Sequence, residues 1–169
     1  MRKLALVCSV AVLFSGLVQA DGGKINFNGE ILDTACEIDT GSKDLDVNLG
    51  KVSKTDFSGA GSVAAETGFE LKLTNCPIVT SATIKFEGTA KDGDNKVIDV
   101  KDDVGAAGGV GIQILDASRN VVPLFTPSSS YDLLEGINTL AFTARYYATA
   151  AEVTAGPANA VANFTVNYN

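Results

Sequence analysis

Hydrophobic and polar positions alternate with a period of two along much of this chain. The alternation is clearest at residues 24–31, 69–74, 84–86 and 139–146. A period of two is typical of strands that have one face in a core and the other in solvent. The chain is therefore predicted to consist mainly of β-strands.

Residues that favour turns separate these predicted strands. They cluster at 39–42, 58–61, 91–95, 108–109 and 127–130. No segment has the period of an amphipathic helix. The alanine-rich stretch 144–155 is interrupted by β-branched residues, so we interpret it as the end of a strand followed by a loop. Many short strands joined by Gly-rich turns predict an all-β sandwich.

The C-terminal segment from Gly156 onwards repeats the alternation up to the end of the chain. One face carries small, aliphatic and aromatic side chains, and the other carries mainly Asn and Thr. The first face consists of Ala158, Ala160, Ala162, Phe164, Val166 and Tyr168. We expect a last strand that turns this face towards a core.

The N-terminus has the composition of a secretory signal peptide. Arg2 and Lys3 precede a mostly apolar run, and Val18 and Ala20 supply the small residues of a cleavage site. Cleavage after Ala20 divides the chain into a signal peptide, residues 1–20, and a mature part. No other apolar run is long enough to insert into a membrane.

Charge and cysteine content fit an exported protein. The chain has 13 basic and 20 acidic residues; loss of Arg2 and Lys3 leaves 11 against 20, a net charge of −9. Such acidity argues against a nucleic-acid partner. The mature part keeps two cysteines, Cys36 and Cys76, and an even count after export predicts a disulfide. Two buried free thiols are the alternative.

The usual catalytic and metal-binding side chains are scarce. The chain contains no His, which removes the commonest general base and zinc ligand. Asp102 and Asp103 form an acidic pair, but we interpret them as a solvated loop and not a hydrolytic site. Residues 92–94 resemble half of a calcium loop, yet Lys96 stands where a ligand is needed, so a plain turn is predicted. We expect no enzyme, cofactor or metal.

Several motifs resemble those of chaperone–usher pilus subunits, and most of all the major rod pilins of P and type 1 pili. Residues 29–36 are similar to the first-cysteine motif, residues 111–116 to the mid-chain motif, and residues 142–146 to the strand before the final loop. Tyr168 is penultimate, and Gly156 is the fourteenth residue from the end. The resemblance covers the whole mature chain.

This resemblance implies an incomplete immunoglobulin-like β-sandwich that lacks its last strand. Donor-strand complementation would complete it. The expected partners are a periplasmic chaperone, an outer-membrane usher and other pilin subunits. The chain would be exported through the periplasm to a fimbria on the cell surface and would support cell adhesion.

The resemblance also assigns residues. Residues 21–29 would be the donor-strand extension and residues 30–169 the pilin domain. The donor face would be Gly23, Ile25, Phe27 and Gly29. The acceptor groove, which the chaperone also recognises, would involve Gly156, Phe164, Val166 and Tyr168.

Two alternative functions remain at this point. The extension is short for a rod subunit, which leaves room for a minor adaptor or terminator pilin. A secreted sugar-binding β-sandwich is the alternative from another class, although the absence of Trp removes the strongest aromatic platform for a sugar.

Overall fold

The computed structural model describes residues 23–29, 35–77 and 81–168. The expected signal peptide and the first two residues of the expected extension lie outside these ranges, as does Asn169. Contacts divide the chain into two compact units, residues 1–31 and 32–169.

In the first unit, the described residues 23–29 have no regular secondary structure, and all seven are exposed. The half-buried strand that the alternation predicted here is therefore wrong for the single chain. A strand needs a hydrogen-bonded neighbour to be stable, and this segment pairs with no strand of the described chain.

The second unit is almost entirely β, as predicted. Its elements are β1 (Glu37–Ile38), α1 (Thr40–Lys43), a 3-10 helix (Lys54–Asp56), β2 (Val63–Cys76), β3 (Ser81–Gly88), β4 (Ala90–Lys91), β5 (Asp94–Asp99), β6 (Val110–Leu115), β7 (Tyr131–Asp132), β8 (Gly136–Ala148) and β9 (Ala162–Tyr168). The strands expected at 69–74, 84–86 and 139–146 lie within β2, β3 and β8.

Two local predictions need correction. The turn expected at 39–42 is the one-turn helix α1, which Asp39 caps by accepting a hydrogen bond from the backbone N–H of Gly41 at 3.0 Å. Four residues are too few to show a helical period in the sequence. The last strand begins at Ala162 and not at residue 158, because its partner β3 ends at Gly88, opposite Ala162.

The strands form two antiparallel sheets. One has the order β1-β2-β8-β6-β5-β4, and the other has the order β7-β3-β9. One core cluster joins the sheets through Leu71 and Leu140 from the first and Ile84 from the second. An all-β sandwich is therefore confirmed, and β9 is an edge strand of the smaller sheet.

Aromatic side chains form the centre of this core. Phe142 on β8 stacks on Phe69 of β2, with ring centroids 5.6 Å apart. It also meets Phe86 of β3 edge to face at 5.2 Å. Such paired rings add to the stabilisation from buried apolar area. They fix the spacing of the two sheets beside β9.

The predicted disulfide is present between Cys36 and Cys76, which lie 40 positions apart in sequence. Cys76 is the last residue of β2, and Cys36 immediately precedes β1, which pairs with β2. The bond therefore reinforces a contact that the sheet already makes. The alternative of two free thiols is wrong.

Candidate functional site

An open groove borders the start of β9 and the loop that precedes it. Its volume is about 900 Å³. One wall is residues 158–164, the opposite wall is residues 43–50, and Phe69, Leu71 and Phe86 lie between them. The core of the sandwich thus reaches solvent between these two stretches of backbone.

In the wall at 43–50, Lys43 is the last residue of α1, and residues 44–50 belong to no helix or strand. Val47 and Leu49 are half-buried, while Asp46 and Asn48 are exposed, so the side chains alternate as they do in a strand. Among the hydrogen bonds between described residues, none links the backbone of residues 44–49 to another backbone group. This wall therefore presents a second unpaired edge.

The sequence contained a signal for this wall. Leu45, Val47 and Leu49 occupy alternate positions, but the pattern was not assigned a role. Periodicity shows that a segment has an apolar face. It does not show which backbone the segment pairs with, so the groove was identified only from the structure.

The core face of β9 is incompletely covered. On β3, Ala82 and Ile84 are 0% exposed and Phe86 is 3% exposed. Their cross-strand partners on β9 are Tyr168, Val166 and Phe164, and all three are only half-buried. Side chains on two adjacent strands that face one core should be buried to a similar degree. The greater exposure on β9 indicates that no neighbouring segment covers these side chains on the open side of β9.

The predicted acceptor residues occupy different parts of this region. Phe164 lines the groove. Val166 and Tyr168 pack against the core from the same face of β9. The Tyr168 hydroxyl donates a hydrogen bond to the carbonyl oxygen of Cys36 at 3.2 Å. Burial raises the pKa of Tyr168, which favours the protonated form that this bond requires.

Gly156 lies outside the groove, in the loop before β9. A Cβ atom on this residue would overlap the carbonyl oxygen of Gly105 and the backbone of Ala106. Gly156 lines a smaller cavity of about 490 Å³ together with Phe57 and Tyr146. Local packing thus explains why a glycine occupies this position, because only a residue without a side chain lets the two loops approach each other.

The predicted donor residues are strongly exposed in the single chain. Ile25 is 77% and Phe27 is 91% exposed. A Cβ atom built on Gly23 or Gly29 meets no described atom within 4 Å. Packing within the described chain therefore does not explain the alternation of apolar residues and glycine in this segment.

Candidate chemistry elsewhere is limited. Asp92 and Gly93 form the turn between β4 and β5, as predicted, and the Asp94 side chain accepts a hydrogen bond from the Lys96 backbone N–H at 3.0 Å. Asp102 and Asp103 are exposed. Within the described ranges, no three His, Cys, Asp or Glu side chains cluster closely enough to bind a metal ion. In the same ranges, no helix is long and apolar enough to cross a membrane.

Comparisons with known proteins give a consistent result. Residues 25–169 match the family model described as fimbrial protein. The probable major fimbrial subunit LpfA of Escherichia coli O157:H7 is 36% identical over 173 residues, which cover 99% of this chain and 97% of LpfA. The crystal structure of the P pilus rod subunit PapA aligns with a TM-score of 0.69 at 27% identity, covering 80% of this chain and all of PapA. A chaperone–usher pilus structure that concerns rod uncoiling aligns with a TM-score of 0.68 at 29% identity, covering 90% of this chain and 98% of that one.

Proposed function

This chain belongs to the fimbrial protein family and is a structural subunit of a chaperone–usher pilus, and from that premise we propose that residues 21–29 of one copy fill the groove of the next. The inserted segment would become a strand between β9 and residues 43–50. Repetition of this step would build a homopolymer, with the chain as a rod subunit.

The incomplete cover on the core face of β9 carries this proposal. A strand laid along β9 would pair with its free backbone edge and cover Phe164. Its other edge would meet residues 44–49, whose backbone is also unpaired in the described chain. An exposed edge of this kind is an aggregation hazard unless it is covered.

The extension has the chemistry that this groove needs. Its apolar residues alternate with Lys24, Asn26 and Asn28, so an added strand would place Ile25 and Phe27 inward and the polar residues outward. Transfer of a Phe side chain from water to a core contributes roughly 2–3 kcal/mol. Ile25 and Phe27 would be the anchors.

The groove also needs a temporary occupant before assembly. A periplasmic chaperone would donate a strand to it, and an outer-membrane usher would exchange that strand for the extension of the next subunit. The assembled fibre would lie on the cell surface and act as a structural polymer, without catalytic activity. The signal peptide expected at residues 1–20 would direct the export.

The test is the substitution Phe27→Asp in the full chain, expressed together with its chaperone and usher. The variant should co-purify with the chaperone in normal amounts but form no fibres visible by electron microscopy, because the added strand loses its main anchor. Gly23→Val should have the same effect by overfilling the groove where the donor has no side chain.

Phe125→Asp is the matched control, because Phe125 is also exposed, at 57%, but lies in another loop. This control should assemble like the parent. If Phe27→Asp and Gly23→Val also assemble normally, the extension is not the donor. If they lose the chaperone complex, the extension belongs to the core of its own subunit.

A further inference from the structure

Charge on the wall at 43–50 is concentrated at one of its ends. Asp44 and Asp46 lie on the wall at 43–50, both are exposed, and neither has an ion-pair partner among the described residues. Lys101 lines the other end, where its backbone N–H donates to the carbonyl oxygen of Asn159 at 2.7 Å. The charged side chains of the wall thus lie at its 43–46 end, where two acidic residues follow one lysine, whereas residues 47–50 carry no charge and Lys101 is followed by the exposed Asp102 and Asp103.

The extension carries a single charge between residues 23 and 29. This charge is Lys24, which is exposed and lies between Gly23 and Ile25. In an added strand, Lys24 would point away from the core, on the same side as Asp44 and Asp46. The outward positions of β9 are the uncharged Asn163, Thr165 and Asn167, so the wall at 43–50 supplies the charged neighbours.

We propose that Lys24 of the donating copy pairs with Asp44 and Asp46 of the accepting copy, and that this contact positions the strand as it enters the groove. The inference rests on the proposed donor-strand function and adds a positioning residue to it. Ile25 and Phe27 would hold the strand, while Lys24 would set its direction and register.

The course of the two walls supports this assignment. Tyr168, at the end of β9, bonds to Cys36, which precedes the wall. Leu49, at the other end of the wall, packs in the same cluster as Ala158, which precedes β9. The walls therefore run in opposite directions, and a strand between them is parallel to one and antiparallel to the other.

Charge distinguishes the two possible directions. A strand antiparallel to β9 enters with residue 24 near Asp44 and Asp46. A strand parallel to β9 brings residue 24 to the end with Asn48 and Leu49, where the wall carries no acidic side chain. The first direction has complementary charges.

The expected effect is mainly kinetic. Exposed ion pairs add little to the stability of an assembled state, whereas complementary charges at the rim of an interface accelerate association and fix register. The rate of fibre growth should therefore depend on Lys24 at low salt, and this dependence should weaken as salt screens the charges.

The test is a charge exchange between two full-length chains purified as chaperone complexes. One carries Lys24→Glu, and the other carries Asp44→Lys with Asp46→Lys. Each alone should assemble roughly tenfold more slowly than the parent at low salt, because like charges then meet. An equimolar mixture should recover most of the parental rate, since every step of an alternating copolymer then joins opposite charges.

Matched controls change charge elsewhere. Two control variants alter exposed side chains far along the chain from the wall: Lys96→Glu, and Asp132→Lys with Glu135→Lys. Both should leave the rate of fibre growth within about twofold of the parent.

Recovery of the rate by mixing would support the pairing of Lys24 with Asp44 and Asp46. Slow variants that mixing does not rescue, or single variants with the parental rate, would overturn it. Phe27→Asp separates this outcome from failure of the donor-strand function, because it should block assembly at every salt concentration.

Discussion

Asp116 is the one acidic side chain that is buried in the described part of the chain, with 2% exposed. Its carboxylate accepts hydrogen bonds from the backbone N–H groups of Ser118 and Asn120, each at 2.9 Å, and from the Ser129 hydroxyl. Burial raises the pKa of Asp116, but these hydrogen bonds together outweigh burial and hold the pKa below its ordinary value. The ionised form therefore ties the turn after β6 to the loop before β7.

Asp116→Ala should reduce the free energy of unfolding by about 2–3 kcal/mol at neutral pH. Because the folded pKa is depressed, the contribution of the carboxylate is present above the ordinary Asp pKa and is lost as pH falls through the folded pKa. The stability difference between parent and variant should therefore shrink in acid. This stability difference can be measured by thermal unfolding of the chaperone complexes at a series of pH values from neutral to acidic. The exposed Asp132→Ala variant is the control. A difference that stays constant with pH would contradict the role of the charge.

At the scale of elements, the groove lies between two stretches of backbone that both leave peptide groups unpaired among the described residues. β9 is held on its other side by seven residue pairs with β3, from Ala82–Tyr168 to Gly88–Ala162. The wall at 43–50 is instead anchored at its ends, by α1 and by Leu49 in a small cluster with Val52 and Phe57. The wall is therefore the side of the groove that a substitution can alter with least damage to the fold.

Val47→Asp should leave the sandwich intact and prevent polymerisation, because Val47 is half-buried on the groove face of the wall. A charge there would be covered by the inserted strand without a partner, which proteins tolerate poorly. Asn48→Asp introduces the same group at the adjacent, outward position and should assemble. Fibre yield by electron microscopy and recovery of the chaperone complex separate the outcomes. Normal fibres from Val47→Asp would show that the wall does not contact the inserted strand.

The same elements show what the sequence could and could not predict. The faces of β2, β3, β8 and β9 followed from alternation because each has a core side and a solvent side. The start of β9 did not, because Gly88 ends its partner strand and periodicity carries no information on the length of a partner. Gly156 was assigned to the acceptor site by resemblance, whereas its contact with Gly105 depends on two loops brought together only in the fold.

At the scale of the whole molecule, the sandwich combines a well-packed core with an open side. The larger sheet closes over Leu71 and Leu140, and the disulfide joins the residue before its first strand to the end of its second. The smaller sheet ends at β9 without a further strand in the described chain. An isolated subunit should therefore depend on the covalent bond more than a closed sandwich does.

Replacement of both Cys36 and Cys76 by Ser should lower the free energy of unfolding by about 4 kcal/mol, because the unfolded chain regains the conformational entropy that a closed loop of this length removes. We expect the periplasmic yield of the chaperone complex to fall sharply, because the open domain has little stability in reserve. A reducing agent should destabilise the parent but have no effect on the double variant. If thermal unfolding of parent and variant coincides, the bond does not contribute to the stability of the fold.

The hydrogen bond from the Tyr168 hydroxyl to the carbonyl oxygen of Cys36 has a mechanical consequence. In the proposed fibre, tension enters each subunit through its extension and leaves through the strand held against β9. Cys36 follows residues 21–29 in the sequence, is covalently joined to the end of β2 and accepts a hydrogen bond from Tyr168 at the end of β9. A pull on the fibre is thus transmitted at this residue to both sheets, while the disulfide limits how far the chain can be drawn out. Under stretching, the subunit should yield first in the contacts of the inserted strand, and its own sandwich should keep its shape.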